Sequence, residues 1–108
     1  NQYKLIVNKI EFSGDLLDLG DVFRKKMKNC GIVLIGTIQN GKAMLMCSVT
    51  DDLLDMIKAG DIVHKLGLII GGGGGGKPHV ATAGGNEIAK LVYALENGEM
   101  IIKKILEN

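Results

Sequence analysis

The sequence predicts a small α/β domain in which a mixed, mostly apolar four-stranded sheet is packed by about three helices. Apolar runs rich in β-branched residues alternate with stretches whose apolar residues recur at three- and four-residue steps, which are the signatures of strands and amphipathic helices. The length of 108 residues suits one domain over 1–108 and is too short for two. A content of 46% hydrophobic against 23% charged residues marks a globular chain rather than a disordered one. With no Trp, two Tyr and two Phe, its core is aliphatic.

Residues 3–12, from Tyr3 to Phe12, form the first expected strand. Ser13 or Asp15 can cap a helix over 15–29 whose stripe is Leu16, Leu19, Phe23 and Met27, with Gly31 able to close it. The basic residues Arg24, Lys25, Lys26 and Lys28 in its last two turns are read first as solvated cations that complement the helix dipole, and only second as a cationic patch useful to RNA. Ile32–Ile38 and Ala43–Val49 are two more strands, joined by Gln39-Asn40-Gly41-Lys42, where Asn-Gly is the strongest short hairpin signal. Both runs are nearly unbroken in apolar character, so both belong at the middle of the sheet with each face covered. Cys47, Met44, Met46 and Met56 read as core filler.

Asp51 and Asp52 are expected to cap a short helical turn. A second helix runs from Ala59 with the stripe Ile62, Val63, Leu66, Ile69 and Ile70, leaving His64 and Lys65 off that face. After the glycines, Val80–Ala83 gives a short strand, Gly84-Gly85 a turn, and Asn86 the cap of a last helix. That helix carries Ile88, Leu91, Val92 and Leu95, and its phase continues past Asn97-Gly98 through Ile102 and Leu106.

Thirteen basic and twelve acidic residues leave a net charge of +1, which excludes a whole-domain cationic field. Any nucleic-acid binding must rest on a local patch and on shape. Cys30 and Cys47 have no metal-ligand spacing and are too few for a disulfide scaffold, so a reducing cytoplasm is expected. No apolar run approaches the roughly 18 residues of a membrane span. His64 and His79 lack acidic or thiol partners placed to help them bind metal. No general base stands beside a nucleophile, so no catalytic residue is assigned. The chain opens at Asn1 rather than at a methionine, as expected of a piece cut from a longer protein.

The least ordinary stretch is Gly71 to Gly85, which opens with six consecutive glycines. Each glycine that could have been alanine leaves more chain entropy to lose, roughly 0.4–1 kcal/mol, so the six together cost about 2–6 kcal/mol. That is a large share of the ~5–15 kcal/mol by which domains are stable. Bare backbone in that amount implies close approach, either by a ligand's phosphate and sugar groups or by another part of the fold. A flexible linker is disfavoured because the run lies between the apolar Leu66–Ile70 and the ordered-looking Val80–Ala83. The glycines satisfy Gly-x-Gly-x-x-Gly trivially. The phosphate-loop pattern is met at Gly71, Gly76 and Lys77, but Pro78 stands where a hydroxyl should hold magnesium and turns Lys77 away from the α region.

A glycine run followed by a basic residue, proline, an alanine three residues on and a closing Gly-Gly resembles the C-terminal domain of alanyl-tRNA synthetase, a DHH-associated domain. The synthetase form usually continues Arg-Pro-Asp-Met-Ala-Gln-Ala-Gly-Gly. Here Lys77 stands for the arginine, His79 and Val80 replace Asp-Met, and Thr82 replaces glutamine, while Pro78, Ala81, Ala83, Gly84 and Gly85 match. The likeness runs over roughly residues 30 to 96. In the related Asp-His-His phosphoesterases a histidine follows a shorter glycine group directly, without the proline, so the synthetase form is nearer.

The resemblance implies a fragment of an enzyme that attaches alanine to its tRNA using ATP, with activation and editing domains elsewhere in the parent. ATP and zinc are expected only in those domains, and no cofactor in these 108 residues. The partner implied is the alanine-accepting tRNA, whose outer corner such a domain holds while linking aminoacylation with editing. Gly73, Gly74, Gly75, Gly76, Lys77, Pro78, His79 and Thr82 are the expected RNA-binding residues. Closely spaced glycine amides, flat peptide planes and one cation suit structured RNA, which is read by shape, backbone contact and stacking. Two other readings are the substrate-binding lobe of an oligonucleotide phosphoesterase and a dimerisation module whose last helix packs Ile101, Ile102, Ile105 and Leu106 on a twin.

Overall fold

A computed structural model describes residues 2–107. In chain order it contains β1 (Lys4–Lys9), α1 (Leu16–Met27), β2 (Gly31–Gln39), β3 (Lys42–Val49), α2 (Ala59–Ile69), β4 (Gly72–Gly76), β5 (Val80–Gly85) and α3 (Leu91–Leu106). Short 3-10 turns lie at Asp51–Leu53 and Ile88–Lys90. The strands form one sheet in the order β1-β2-β3-β5-β4; β1 runs parallel to β2 and every other pair is antiparallel. The sheet therefore has five strands, not four, and the additional one is the glycine run. Polyglycine carries no β-branched side chain and no alternation, so nothing local marks it as a strand. Pairing with β5 makes it one.

Three layers result. Ile32, Leu34, Leu45, Cys47, Ala81 and Ala83 pack with α2 and α3 on one face, while Val33, Ile35, Met46 and Val80 pack with Leu16, Leu19 and Phe23 of α1 on the other. β2 and β3 lie inside the sheet and are covered on both faces, as their apolar runs require. Their hairpin has φ of 51° at Asn40 and 75° at Gly41, the backbone of a type I′ turn.

Local details depart from expectation where tertiary contacts decide. β1 stops at Lys9, and Phe12 instead packs against the α1 layer. Asp15 caps α1, accepting from the Leu17 amide at 2.8 Å. Gly31 does not close that helix but opens β2; the reversal is made by Lys28 (φ 65°) and Cys30 (φ 54°). The Cys30 amide is held there by both carboxylate oxygens of Asp52, at 2.9 and 3.1 Å. Asp51 and Asp52 thus make no side-chain cap: Asp51 pairs with Arg24 at 2.6 Å, and Asp52 also accepts from the Thr50 hydroxyl at 2.7 Å. Met56 is 48% exposed and fills no core, whereas Met46 and Cys47 are fully buried.

In α2, Ile62, Val63 and Leu66 are buried, as is Ile70 just past its end, while Ile69 is half-buried and His64 and Lys65 face outward. Gly84 and Gly85 are strand residues of β5 rather than a turn. Asn86 does not cap the last helix, because the 3-10 turn intervenes and Lys90 takes the N-cap position without a side-chain bond. α3 runs unbroken through Asn97-Gly98, since Gly98 lies over Leu34 and Leu66 and a Cβ there would stand 2.8 Å from the Leu66 Cδ1. Ile102 and Leu106 sit in the domain's own core and are not free to meet a twin; Ile101 and Ile105 are half-buried against it.

Candidate nucleic-acid interface

β4 is an edge strand whose two faces have different surroundings. Opposed residues in a sheet share a face, so Gly72, Gly74 and Gly76, paired with Gly85, Ala83 and Ala81, lie on the α2 side. A Cβ would overlap the Gly84 carbonyl at Gly72 and Ala83 at Gly74, and would stand 2.8 Å from the Ala83 counterpart Ala81 at Gly76, where φ is also 150°. Helix α2 presses on the same backbone through Gly67 and Gly60; a Cβ on Gly60 would lie 3.0 Å from the Gly76 oxygen. Close approach by the fold itself therefore explains these alternate glycines.

Gly73 and Gly75, opposite Gly84 and Thr82, lie on the other face, where an added Cβ meets nothing within 4 Å. No left-handed φ is needed at either position. Helix α1 does not extend over this part of the sheet, and between them lies a groove of about 310 Å³ lined by Leu17, Asp21, Gly75, Gly76, Lys77, His79, Val80 and Thr82. The Lys77 amide donates to the Val80 carbonyl at 3.1 Å, closing a two-residue turn at Pro78 and His79 that fixes the hairpin beside the groove.

Of the sequence-predicted residues, Gly75, Gly76, Lys77, His79 and Thr82 are gathered at this groove, and Gly73 extends its open face along the strand. Gly74 faces α2 instead, and Pro78 lies outside the lining while its carbonyl accepts from the Ala59 amide at 2.7 Å, tying the turn to the start of α2. Lys77 forms no ion pair among the described residues. Leu17 and Asp21 were not expected from the sequence. Their i, i+4 spacing puts them on one helical face, and an apolar Leu17 outside the buried stripe, 45% exposed, was the available signal.

The stripe of Leu17 and Asp21 continues along α1 to Lys25, which with Lys28 just past the helix end lines a second shallow depression beside Arg24, Thr50 and Asp51. Arg24 is committed elsewhere: its Nε donates to the Val49 carbonyl at 3.1 Å and its Nη2 to Asp51. No group of three or more His, Cys, Asp or Glu among the described residues is placed to hold a metal ion. Among the described residues no helix is long and apolar enough to cross a membrane.

The thiols differ. Burial pushes the Cys47 thiol up to about 12. Cys30, more accessible, is raised chiefly by its hydrogen bond to Asp52, with desolvation second. The Asp52 carboxyl is held below its ordinary value first by the Thr50 hydroxyl, against desolvation, which ranks next and raises it, and with further lowering by the Cys30 amide and thiol.

The DHHA1 domain family matches residues 2–107, well beyond the stretch around the glycines. The chain is 43% identical over 94 residues to an alanine–tRNA ligase of Anaeromyxobacter dehalogenans, covering 86% of this chain and 10% of that protein. It is 37% identical over 111 residues to the alanine–tRNA ligase of Natranaerobius thermophilus, covering all of this chain and 12% of that protein. The chain thus spans about a tenth of the length of these relatives. The solved C-Ala domain of Aquifex aeolicus alanyl-tRNA synthetase superposes with a TM-score of 0.79 at 25% identity, over 96% of this chain and 91% of that one. The fold, the glycine hairpin and these likenesses agree: the chain belongs to the DHHA1 domain family, in the form found in alanine–tRNA ligases.

Proposed function

We propose that this chain is the tRNA-docking domain of an alanine–tRNA ligase, holding the outer corner of the alanine-accepting tRNA so that one bound tRNA serves both aminoacylation and editing. The observation that carries the reading is the open face of β4. Gly73 and Gly75 have no need within the fold to be glycine, Gly75 borders a groove whose open face Gly73 extends along the strand, and Lys77, without an ion pair among the described residues, stands at its rim. Peptide planes without side chains let a sugar or a base approach closely, and a lysine supplies a point charge for phosphate. The parent enzyme, on this reading, works in the cytoplasm with ATP and zinc bound by other domains, and this piece contributes recognition and no chemistry. The phosphoesterase reading gains no support, since the relatives named above are alanine–tRNA ligases.

The test is a gel shift of the domain with intact alanine tRNA and with a copy whose corner loops are unpaired. Binding to the first alone, weakened by Lys77→Glu, is expected. Equal binding of both RNAs, or indifference to Lys77→Glu at moderate salt, would sink the proposal.

A further inference from the structure

Docking through Lys77 leaves one wall of the groove unexplained. Asp21 lines it and puts a negative charge where an RNA is expected to lie. Among the described residues the carboxylate has one long ion pair and no hydrogen-bonded cation. Its neighbour Arg24 spends Nε on the Val49 carbonyl and Nη2 on Asp51, and its Nη1 reaches the Asp21 Oδ1 only at 3.6 Å, beyond a hydrogen bond. The Asp21 side chain is 45% exposed, so its acceptor sites are open to a partner.

We propose that Asp21 is a specificity-determining residue: the groove takes an unpaired RNA base whose edge offers N–H donors to this carboxylate, guanine above the others. The inference rests on the docking reading and refines it. A carboxylate repels phosphate, so the strand enters base first and leaves its phosphate at the rim beside Lys77. Leu17 and the bare Gly75 backbone offer the base an apolar, side-chain-free surface to lie on. Unpaired bases are read on their Watson–Crick edges, and an ionised carboxylate can only accept. Guanine presents N1–H and the N2 amino group side by side, matching two carboxylate oxygens. Adenine and cytosine offer one amino group, whereas uracil flanks its single N3–H with two carbonyls that repel the aspartate.

The test uses fluorescence anisotropy with single-stranded uridine hexamers that carry one guanosine, one inosine or no replacement at an internal position. The domain is expected to prefer guanosine over uridine at least about five-fold, the low end of a bidentate contact, with inosine between them because it lacks the N2 amino group. Asp21→Asn, at an exposed position with a weak ion pair, should fold normally and bring guanosine to within about two-fold of uridine, with guanosine losing its advantage while uridine binds somewhat tighter once the repelling carboxylate is gone. Equal binding of the three hexamers by the unaltered domain overturns the proposal. So does Asp21→Asn tightening all three by one factor, which would make Asp21 a repulsive charge and nothing more. Intact tRNA, run alongside, separates the two readings: if it binds while the hexamers fail to bind or to discriminate, docking stands and the role of Asp21 falls, whereas if it too fails to bind, both fall.

Discussion

A Cβ placed on Gly67 of α2 would stand 2.9 Å from the carbonyl carbon of Gly73 in β4, so helix and strand meet through bare backbone on both sides. That separation sets the sign of a substitution. In an open helix interior, Gly→Ala is worth roughly 0.5–1 kcal/mol of stability. At Gly67 the new methyl drives α2 off the sheet, and overpacking of this kind costs about 1–3 kcal/mol. Urea unfolding of Gly67→Ala should show a lower midpoint at unchanged slope; a rise would mean that the helix lies farther from the strand.

The two faces of β4 predict opposite outcomes for neighbouring glycines. Gly74→Ala forces its methyl into Ala83 and should destabilise the domain by about 1–3 kcal/mol. Gly73→Ala and Gly75→Ala meet open space and should stabilise it by roughly 0.4–1 kcal/mol each through a less disordered unfolded chain. On the docking reading those two stable variants should bind tRNA several-fold more weakly. Full binding by both would show that nothing approaches that face.

Gly98 gives an independent check on the core. It sits inside α3 with its α-carbon facing Leu34 and Leu66, both fully buried, so that any shift of their side chains must displace other core residues. Gly98→Ala should cost about 1–3 kcal/mol in thermal or urea unfolding, although alanine is the better helix former. A stabilised variant would place α3 farther from the sheet.

The same glycines show what a sequence reading could and could not reach. Residues with side chains on a regular period were readable: Ile62, Val63 and Leu66 mark the buried stripe of α2, and Asn40-Gly41 fixes the register of β2 with β3. Gly72–Gly76 was readable as a place of close approach but not as a strand, because its pairing depends wholly on β5. Likewise Asp52 is a good helix cap on local grounds, yet it is claimed by the Cys30 amide, 22 residues away in sequence. The groove was half visible. Lys77, His79 and Thr82 stand together in the chain, whereas Leu17 and Asp21 reach them only because α1 crosses that face of the sheet.

The Asp52 contacts predict a pH dependence with a definite sign. Its folded carboxyl titrates below the ordinary value, chiefly through the Thr50 hydroxyl and with help from Cys30. The group therefore contributes stability that is fully present above the unfolded value of about 3.9 and is lost as pH falls through the folded one. The stability gap between the unaltered domain and Asp52→Asn should be constant near neutral pH and should shrink below about pH 4. A gap independent of pH between 7 and 3 would remove these contacts. Because the same carboxylate raises the Cys30 thiol, Asp52→Asn should also speed alkylation of Cys30 near neutral pH, while Cys47 stays unreactive until the domain unfolds.

The cations of α1 lead to the last prediction. Lys25 lies on the helical stripe that begins at the groove with Leu17 and Asp21, Lys28 just past the helix end lines the same depression, and neither forms an ion pair among the described residues. A strand anchored at Lys77 can run its phosphates along them. Phosphate contacts carry affinity without sequence information, and each lowers log K by about 0.7–0.9 per decade of salt. Lys25→Ala and Lys28→Ala should each weaken tRNA binding, flatten the salt dependence by about that amount, and leave any preference among bases untouched. Lys104, exposed near the end of α3, which packs on the opposite face of the sheet from α1, is the control and should change neither quantity. If Lys104→Ala matches the other two, the domain attracts RNA by diffuse charge rather than along this path.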